Sequence, residues 1–192
     1  MVGEAARLTR TIIGIAAASL ASAIVAAPKP AWIVDASCRD GEPQGPYQLR
    51  TGDRQLRVAG AFNAGKRTGS FIFWTAKGVR AAHIPYDDDV RNGTVAVWYD
   101  GPSGREPARR FESVWHRGSR DGQTRSWHAD GHRRSETEYA GGRYVSSIGW
   151  TDAGDRLADA AARDLAAHDA RTADAIYAEL DALIRDHLPR CE

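Results

Sequence analysis

The feature that most constrains this chain is a spaced pattern of glycine and aromatic residues that occurs twice with identical intervals. Phe62, Gly65, Gly69, Trp74 and Gly78 return as Trp115, Gly118, Gly122, Trp127 and Gly131, both reading aromatic-x2-Gly-x3-Gly-x4-Trp-x3-Gly. Agreement at five positions marks an internal repeat, and a repeat of a few tens of residues implies one supersecondary unit stacked on copies of itself. A looser copy lies between them at Tyr86, Gly93, Trp98 and Gly101, where the Gly93-to-Trp98 interval is kept. A degraded copy follows at Tyr139-Ala140-Gly141-Gly142, Gly149-Trp150 and Gly154, and an opening copy is read at Gly45-Pro46-Tyr47 with Gly52. The interval from Trp74 to Trp98 is 24 residues and from Trp98 to Trp127 is 29, the excess falling around Gly101-Pro102-Ser103-Gly104.

Each unit reads as a β-hairpin. Ser70-Phe71-Ile72-Phe73-Trp74 and Thr94-Val95-Ala96-Val97-Trp98-Tyr99 are rich in the β-branched and aromatic residues that suit strands. They end at Ala76-Lys77-Gly78 and Asp100-Gly101, where glycine accepts the positive φ of a tight turn. Gly65, Gly69, Gly78, Gly93, Gly118, Gly122 and Gly131 are therefore expected at turns. Four or five hairpins in series predict an elongated antiparallel meander of eight to ten strands. Alternation places Ile72 and Trp74 on one face and Phe71 and Phe73 on the other. Trp127 has polar neighbours, so its hairpin is expected to have one face in water. Trp74, Trp98, Trp115, Trp127 and Tyr139 are expected to form an aromatic ladder and a candidate binding surface.

Over residues about 41–154 this pattern resembles MORN-repeat variants, short G-x4-W/Y units found in bacterial proteins of the YwqK-type antitoxin-like group. The best matches are Gly65/Gly69/Trp74/Gly78 and Gly118/Gly122/Trp127/Gly131. The resemblance implies an elongated antiparallel sheet with a binding or scaffold role.

The ends of the chain read differently. Arg7 and Arg10 precede an uncharged run over 11–27, and small residues follow at Ala21-Ser22-Ala23 and Ala26-Ala27. A basic start, an apolar middle and a small-residue end describe a secretory signal peptide over 1–26. The alternative is an uncleaved anchor, the one case in which a membrane would be a partner. Cys38 and Cys191 fit export: in an oxidising compartment they are expected to pair, the alternative being two thiols too far apart to meet. Between 27–154, the repeat domain, and the C-terminus the composition changes. Residues 155–192 lack glycine and are rich in alanine. Leu157, Ala161, Leu165, His168, Thr172, Ile176, Leu180, Leu183 and Leu188 recur at helical spacing, predicting one amphipathic helix over about 156–187. Asp152 or Asp155 would cap it, a break is allowed near His168–Thr172, and its expected role is to pack on the sheet. A partner-binding helix is the alternative.

Chemistry is sparse in the sequence. His128 and His132 straddle the Asp130-Gly131 turn, so their spacing is not that of a helical metal pair. Asp87-Asp88-Asp89 lacks the alternating ligands of a calcium loop. No nucleophile elbow or phosphate loop occurs. The expectation is no catalysis, no metal and no cofactor. Taking Glu4, Arg7 and Arg10 from 26 basic and 25 acidic residues leaves 24 of each, which argues against nucleic acid as a partner. Arg109-Arg110 and Arg133-Arg134 read as solvated strand charges, or, with the aromatics, as a shallow sugar-binding surface. The expected function is an exported, non-catalytic binding or scaffold module for a protein or glycan of the cell envelope. The alternatives are a structural or oligomerising envelope protein, or an antitoxin-like protein that neutralises a partner.

Overall fold

The computed structural model describes residues 31–102 and 104–192. The signal-peptide expectation for 1–26 lies outside the described residues. The chain forms one antiparallel sheet: β1 (Trp32–Arg39), β2 (Glu42–Thr51), β3 (Leu56–Asn63), β4 (Lys66–Trp74), β5 (Arg80–Asp87), β6 (Val90–Arg91), β7 (Gly93–Trp98), β8 (Arg109–His116), β9 (Ser119–Trp127), β10 (Arg133–Ala140) and β11 (Arg143–Gly149). Among the described residues a single helix, α1 (Asp159–Arg185), follows. The strands lie in sequence order, with β6 and β7 both beside β5. Eleven strands therefore occupy ten positions, one strand more than expected, because the run from Val90 to Trp98 breaks at Asn92.

The repeat is written in the turns. At one end of the sheet, Asp40-Gly41, Ala64-Gly65, Asp88-Asp89, Arg117-Gly118 and Gly141-Gly142 each hold two consecutive positive φ values. This geometry matches the twist of a two-residue hairpin. The middle copy looks loose in sequence because Asp89, at φ 69°, occupies the position glycine holds in its neighbours, and because a longer loop replaces its far turn. Four residues after the turn, Gly45, Gly69, Gly93 and Gly122 again have positive φ. The β1–β2, β3–β4 and β8–β9 ladders shift register beside the first, second and fourth of these.

At the opposite end a five-residue turn recurs over Thr51–Gln55, Thr75–Val79, His128–His132 and Thr151–Asp155. In each, the first amide donates to the fifth carbonyl and the fourth amide to the first carbonyl, at 2.7–3.0 Å. Between β7 and β8 the longer loop 99–108 is closed by the Tyr99 amide on the Ala108 carbonyl at 2.9 Å, which accounts for the long Trp98-to-Trp127 interval. The residues flanking these turns pair as Trp74 with Arg80, Trp98 with Arg109, Trp127 with Arg133 and Trp150 with Arg156. After the last pair the Leu157 amide donates to the Gly149 carbonyl at 2.9 Å. A sixth first-strand thus begins, and then the chain leaves as the helix.

The helix crosses the strands. At its start Gly149 of β11 lets it approach: a Cβ there would lie 3.1 Å from Leu157 and Leu165 and 3.3 Å from the Ala162 backbone. Asp169 then meets β9 and β10, Tyr177 meets Trp115 of β8, and Asp181 meets Tyr86 of β5 and Arg67 of β4. His187 packs on Trp32 of β1 at 4.8 Å, and its carbonyl accepts from the Tyr47 hydroxyl of β2 at 3.0 Å. Nine gaps of about 4.8 Å make the sheet about 43 Å wide, and the 27 residues of the helix span about 40 Å. One helix therefore covers the full width of the inner face. Past its end, Cys191 is disulfide-bonded to Cys38 of β1, with Cα atoms 5.6 Å apart.

Three helix expectations are corrected. The helix is continuous through His168–Thr172. Asp152 and Asp155 lie in the preceding turn, while Ala158 is the N-cap and no side chain caps it. The contact row is Ala162, Ala166, Asp169, Ala173, Tyr177 and Ile184, one residue round from the row of leucines. Ala161 and His168 are exposed, and Leu165, Ile176, Leu180 and Leu183 flank the contact. Alanines sit on the axis because small side chains let the helix lie close. Asp169 belongs there because hydrogen bonds satisfy it, which hydropathy cannot register.

Candidate functional site

The expected aromatic ladder divides between the two faces. Inward-facing residues of β2–β8 include Tyr47, Leu49, Val58, Phe71, Phe73, Ile84 and Val95, all buried. Trp115 alternates in phase with buried Phe111 and Ser113, so it faces the helix and meets Tyr177 with ring centres 5.9 Å apart. Tyr139 is in phase with buried Ser135 and Thr137 and faces the same way. Trp115 is buried and Tyr139 half-buried on the helix side, so neither lies on the outer face. Trp74 and Trp127 are out of phase with the buried rows of their strands and lie on the outer face, and Trp98, buried like its row neighbour Ala96, lines a depression on that face. Among the described residues no ring–ring contact joins the three. Arginine takes that place: Arg80 and Arg109 stand 5.2 and 5.3 Å from the Trp98 ring centre. The seven glycines expected at turns all occupy turn or bulge positions with positive φ.

The outer face carries the candidate site, a shallow depression of about 410 Å³ lined by Ile72, Arg80, His83, Thr94, Ala96, Trp98 and Arg109. His83 Nε2 lies 2.9 Å from Ser70 Oγ. Burial, and then the nearby Arg80 charge, hold the His83 pKa below its ordinary value, so the ring is neutral at neutral pH. Beyond β7 the same face becomes charged. Arg109 pairs with Glu112, Glu112 with Arg125 at 3.4 Å, Arg125 with Glu136 at 3.7 Å and Glu136 with Arg133 at 2.5 Å. Arg80 has no carboxylate partner among the described residues. The basic pairs of the sequence are split by the strand bulges: Arg109 and Arg133 face outward, whereas Arg134 reaches Asp169 on the helix at 3.0 Å.

The inner face holds a second set of side chains that the sequence reading missed. Arg67, Arg91 and Arg120 each stand two residues past a hairpin turn. Arg67 lies 4.1 Å from the Tyr86 ring centre, Arg91 5.3 Å from Trp115, and Arg120 4.9 Å from Trp115 and 5.7 Å from Tyr139. The helix answers them with acids: Asp181 takes Arg67 and Arg91, and Asp174 takes Arg120. The available signal was the common offset of these arginines from the repeat, matched by two aspartates seven residues apart in the helix. Asp169 accepts from Ser126 Oγ at 2.6 Å and from Ser135 Oγ at 2.9 Å. These interactions lock the helix to the sheet.

The histidines are dispersed. His128 Nδ1 is 3.0 Å from Asp152, and His132 Nδ1 is 3.3 Å from Asp130. Among the described residues no three His, Cys, Asp or Glu side chains converge as a ligand set. No protein-family model, curated protein or solved structure matches this chain.

Proposed function

We propose that the chain is an exported, non-catalytic repeat module of the cell envelope that binds a protein or glycan through the outer face of its sheet. One observation carries the reading. The inner face is filled along its whole width by the chain's own helix, whereas the outer face keeps an open depression around Trp98 and Arg80. Export draws on the leader-like pattern of residues 1–26 and on the Cys38–Cys191 disulfide, since cytosolic thiols are kept reduced. The non-catalytic part comes from the sequence, where no nucleophile–base or metal-ligand spacing occurs. A kinship with MORN-repeat variants belongs to the same proposal and rests on the repeat motif alone.

The test is cosedimentation of the exported protein with envelope material from cells that lack it. Ile72→Glu, in the neutral part of the outer face, is expected to abolish it while the circular dichroism spectrum is unchanged. A folded Ile72→Glu protein that sediments like the wild type overturns the reading. A second reading, an oligomerising envelope protein, is favoured by the two sheet edges. Ile33 and Val34 on β1, and Tyr144, Val145 and Ile148 on β11, are exposed, and unpaired strand edges are templates for association. Light scattering that returns a monomer at all concentrations removes that reading.

A further inference from the structure

We propose that the depression around Arg80 binds a carboxylated saccharide, such as a chain of uronic acid residues. This rests on the outer-face reading above and names its ligand class. Two arginines share the Trp98 ring, and they differ in one respect. Arg109 is paired with Glu112, while Arg80 is exposed and has no carboxylate among the described residues. Trp98 itself is only 8% exposed, so its ring serves to orient the two guanidiniums. The result is a positioned donor fork that lacks its anion. A guanidinium meets a carboxylate through two parallel N–H···O bonds, an arrangement that a point charge cannot give.

The rest of the lining is neutral and mixed. Ile72 offers apolar surface, and Thr94 and His83 offer hydrogen-bonding groups. The His83 ring is uncharged at neutral pH, so it can accept from or donate to a hydroxyl without adding charge. A uronic acid residue presents one carboxylate, several hydroxyls and an apolar C–H face, which matches that lining group for group. A nucleic acid, with a phosphate at every step, calls for a row of free cations, and the neighbouring outer-face arginines are already paired with Glu112 and Glu136.

The experiment is calorimetric titration of the exported, disulfide-intact protein with a galacturonate tetramer. A neutral galactose tetramer, sodium sulfate and a glutamate tetrapeptide are the comparators. The uronate is expected to bind, the neutral sugar about ten-fold more weakly, and Arg80→Ala to lose about ten-fold in uronate affinity. Arg133→Ala, which removes a paired arginine from the same face, is expected to leave binding unchanged. Equal binding of charged and neutral tetramers, equal binding of sulfate or of the acidic peptide, or an unaffected Arg80→Ala each overturn the proposal. If the uronate fails to bind while Ile72→Glu still abolishes envelope cosedimentation, the ligand class is wrong and the outer-face reading stands. If cosedimentation is also insensitive to Ile72→Glu, both fall.

Discussion

The two halves of the inner face are built on one backbone pattern and closed by one helix, yet their chemistry is opposite. From β2 to β7 the face is aromatic and aliphatic. Phe71 touches Tyr47, Phe62 and Tyr86 with ring centres 5.4–6.4 Å apart, and Ile184 with flanking Leu180 and Leu183 covers this half. β8 is mixed, with Phe111, Ser113 and Trp115, and on β9 and β10 the buried row is Thr124, Ser126, Ser135 and Thr137, where the cover is alanine with Asp169 at its centre. The first half is held by removal of apolar area from water, which is non-directional. The second offers little area, and there the hydrogen bonds of Ser126 and Ser135 to Asp169 fix where the helix lies. The difference teaches that the repeat dictates turns and register but leaves the core chemistry of each hairpin free, provided the helix changes with it.

The largest expected effect sharpens this contrast at the far end of the aromatic half. Reducing Cys38–Cys191, whose loop closes over a separation of 153 residues, is expected to cost at most about 5 kcal/mol. Amide exchange should rise first around residues 180–187, over the aromatic half, while the Asp169 region stays protected. Uniform loss of protection would mean that the hydroxyl half does not hold the helix by itself. Phe71→Ala should cost about 4 kcal/mol in urea unfolding, because the ring is fully buried. Asp169→Ala should cost about 3 kcal/mol, since it leaves two buried hydroxyls and Arg134 without their acceptor. Combining Ser126→Ala, Ser135→Ala and Asp169→Leu should recover most of that loss. A triple variant as unstable as the single one would show that the hydroxyl half works through packing after all.

Titration separates the halves more gently. Burial pushes the Tyr47 phenol up to about 12 and raises Tyr86 further, with Asp181 adding to the effect of burial. Both tyrosines favour the neutral form in the folded chain. Their contribution is complete below the unfolded value near 10 and is lost as pH climbs from about 10 towards 12. Absorbance of phenolate should show these two ionising only with unfolding, and Tyr47→Phe should shrink the alkaline loss. The smallest effect is on the outer face. The His83 pKa is lowered, so its contribution is complete above about 6.5 and declines as pH falls. His83→Gln should flatten the acid limb of the stability curve slightly.

Much of this architecture was legible in the residues. The hairpin turns followed from Gly65, Gly118 and their equivalents, and the facing of Phe71 and Phe73 against Ile72 and Trp74 followed from strict alternation. Cys38 stands three residues before Gly41, where later copies carry Phe62, Trp115 and Tyr139, so it falls in the row that faces the helix. What escaped notice was long-range or polar. The helix contact row was misread because leucine outweighs alanine on any hydropathy scale, and Asp169 looks like a solvent residue until Ser126 and Ser135 are placed beside it. The outer site is half visible in the sequence: the repeat marks Trp74, Trp98 and Trp127, whereas nothing in the spacing marks Arg80. Its pairing with Trp74 depends on a turn whose closing bonds cannot be read from spacing.

A helix that spans every strand also sets a ruler for the chain. Adding or removing one hairpin changes the sheet's width by two strand spacings, about 10 Å. That distance equals about six helical residues, close to the seven that separate Asp174 from Asp181. A hairpin inserted alone would leave the helix short, with Cys191 stranded away from Cys38. The number of hairpins and the length of the helix can therefore change only together, in steps of one hairpin to nearly two helical turns.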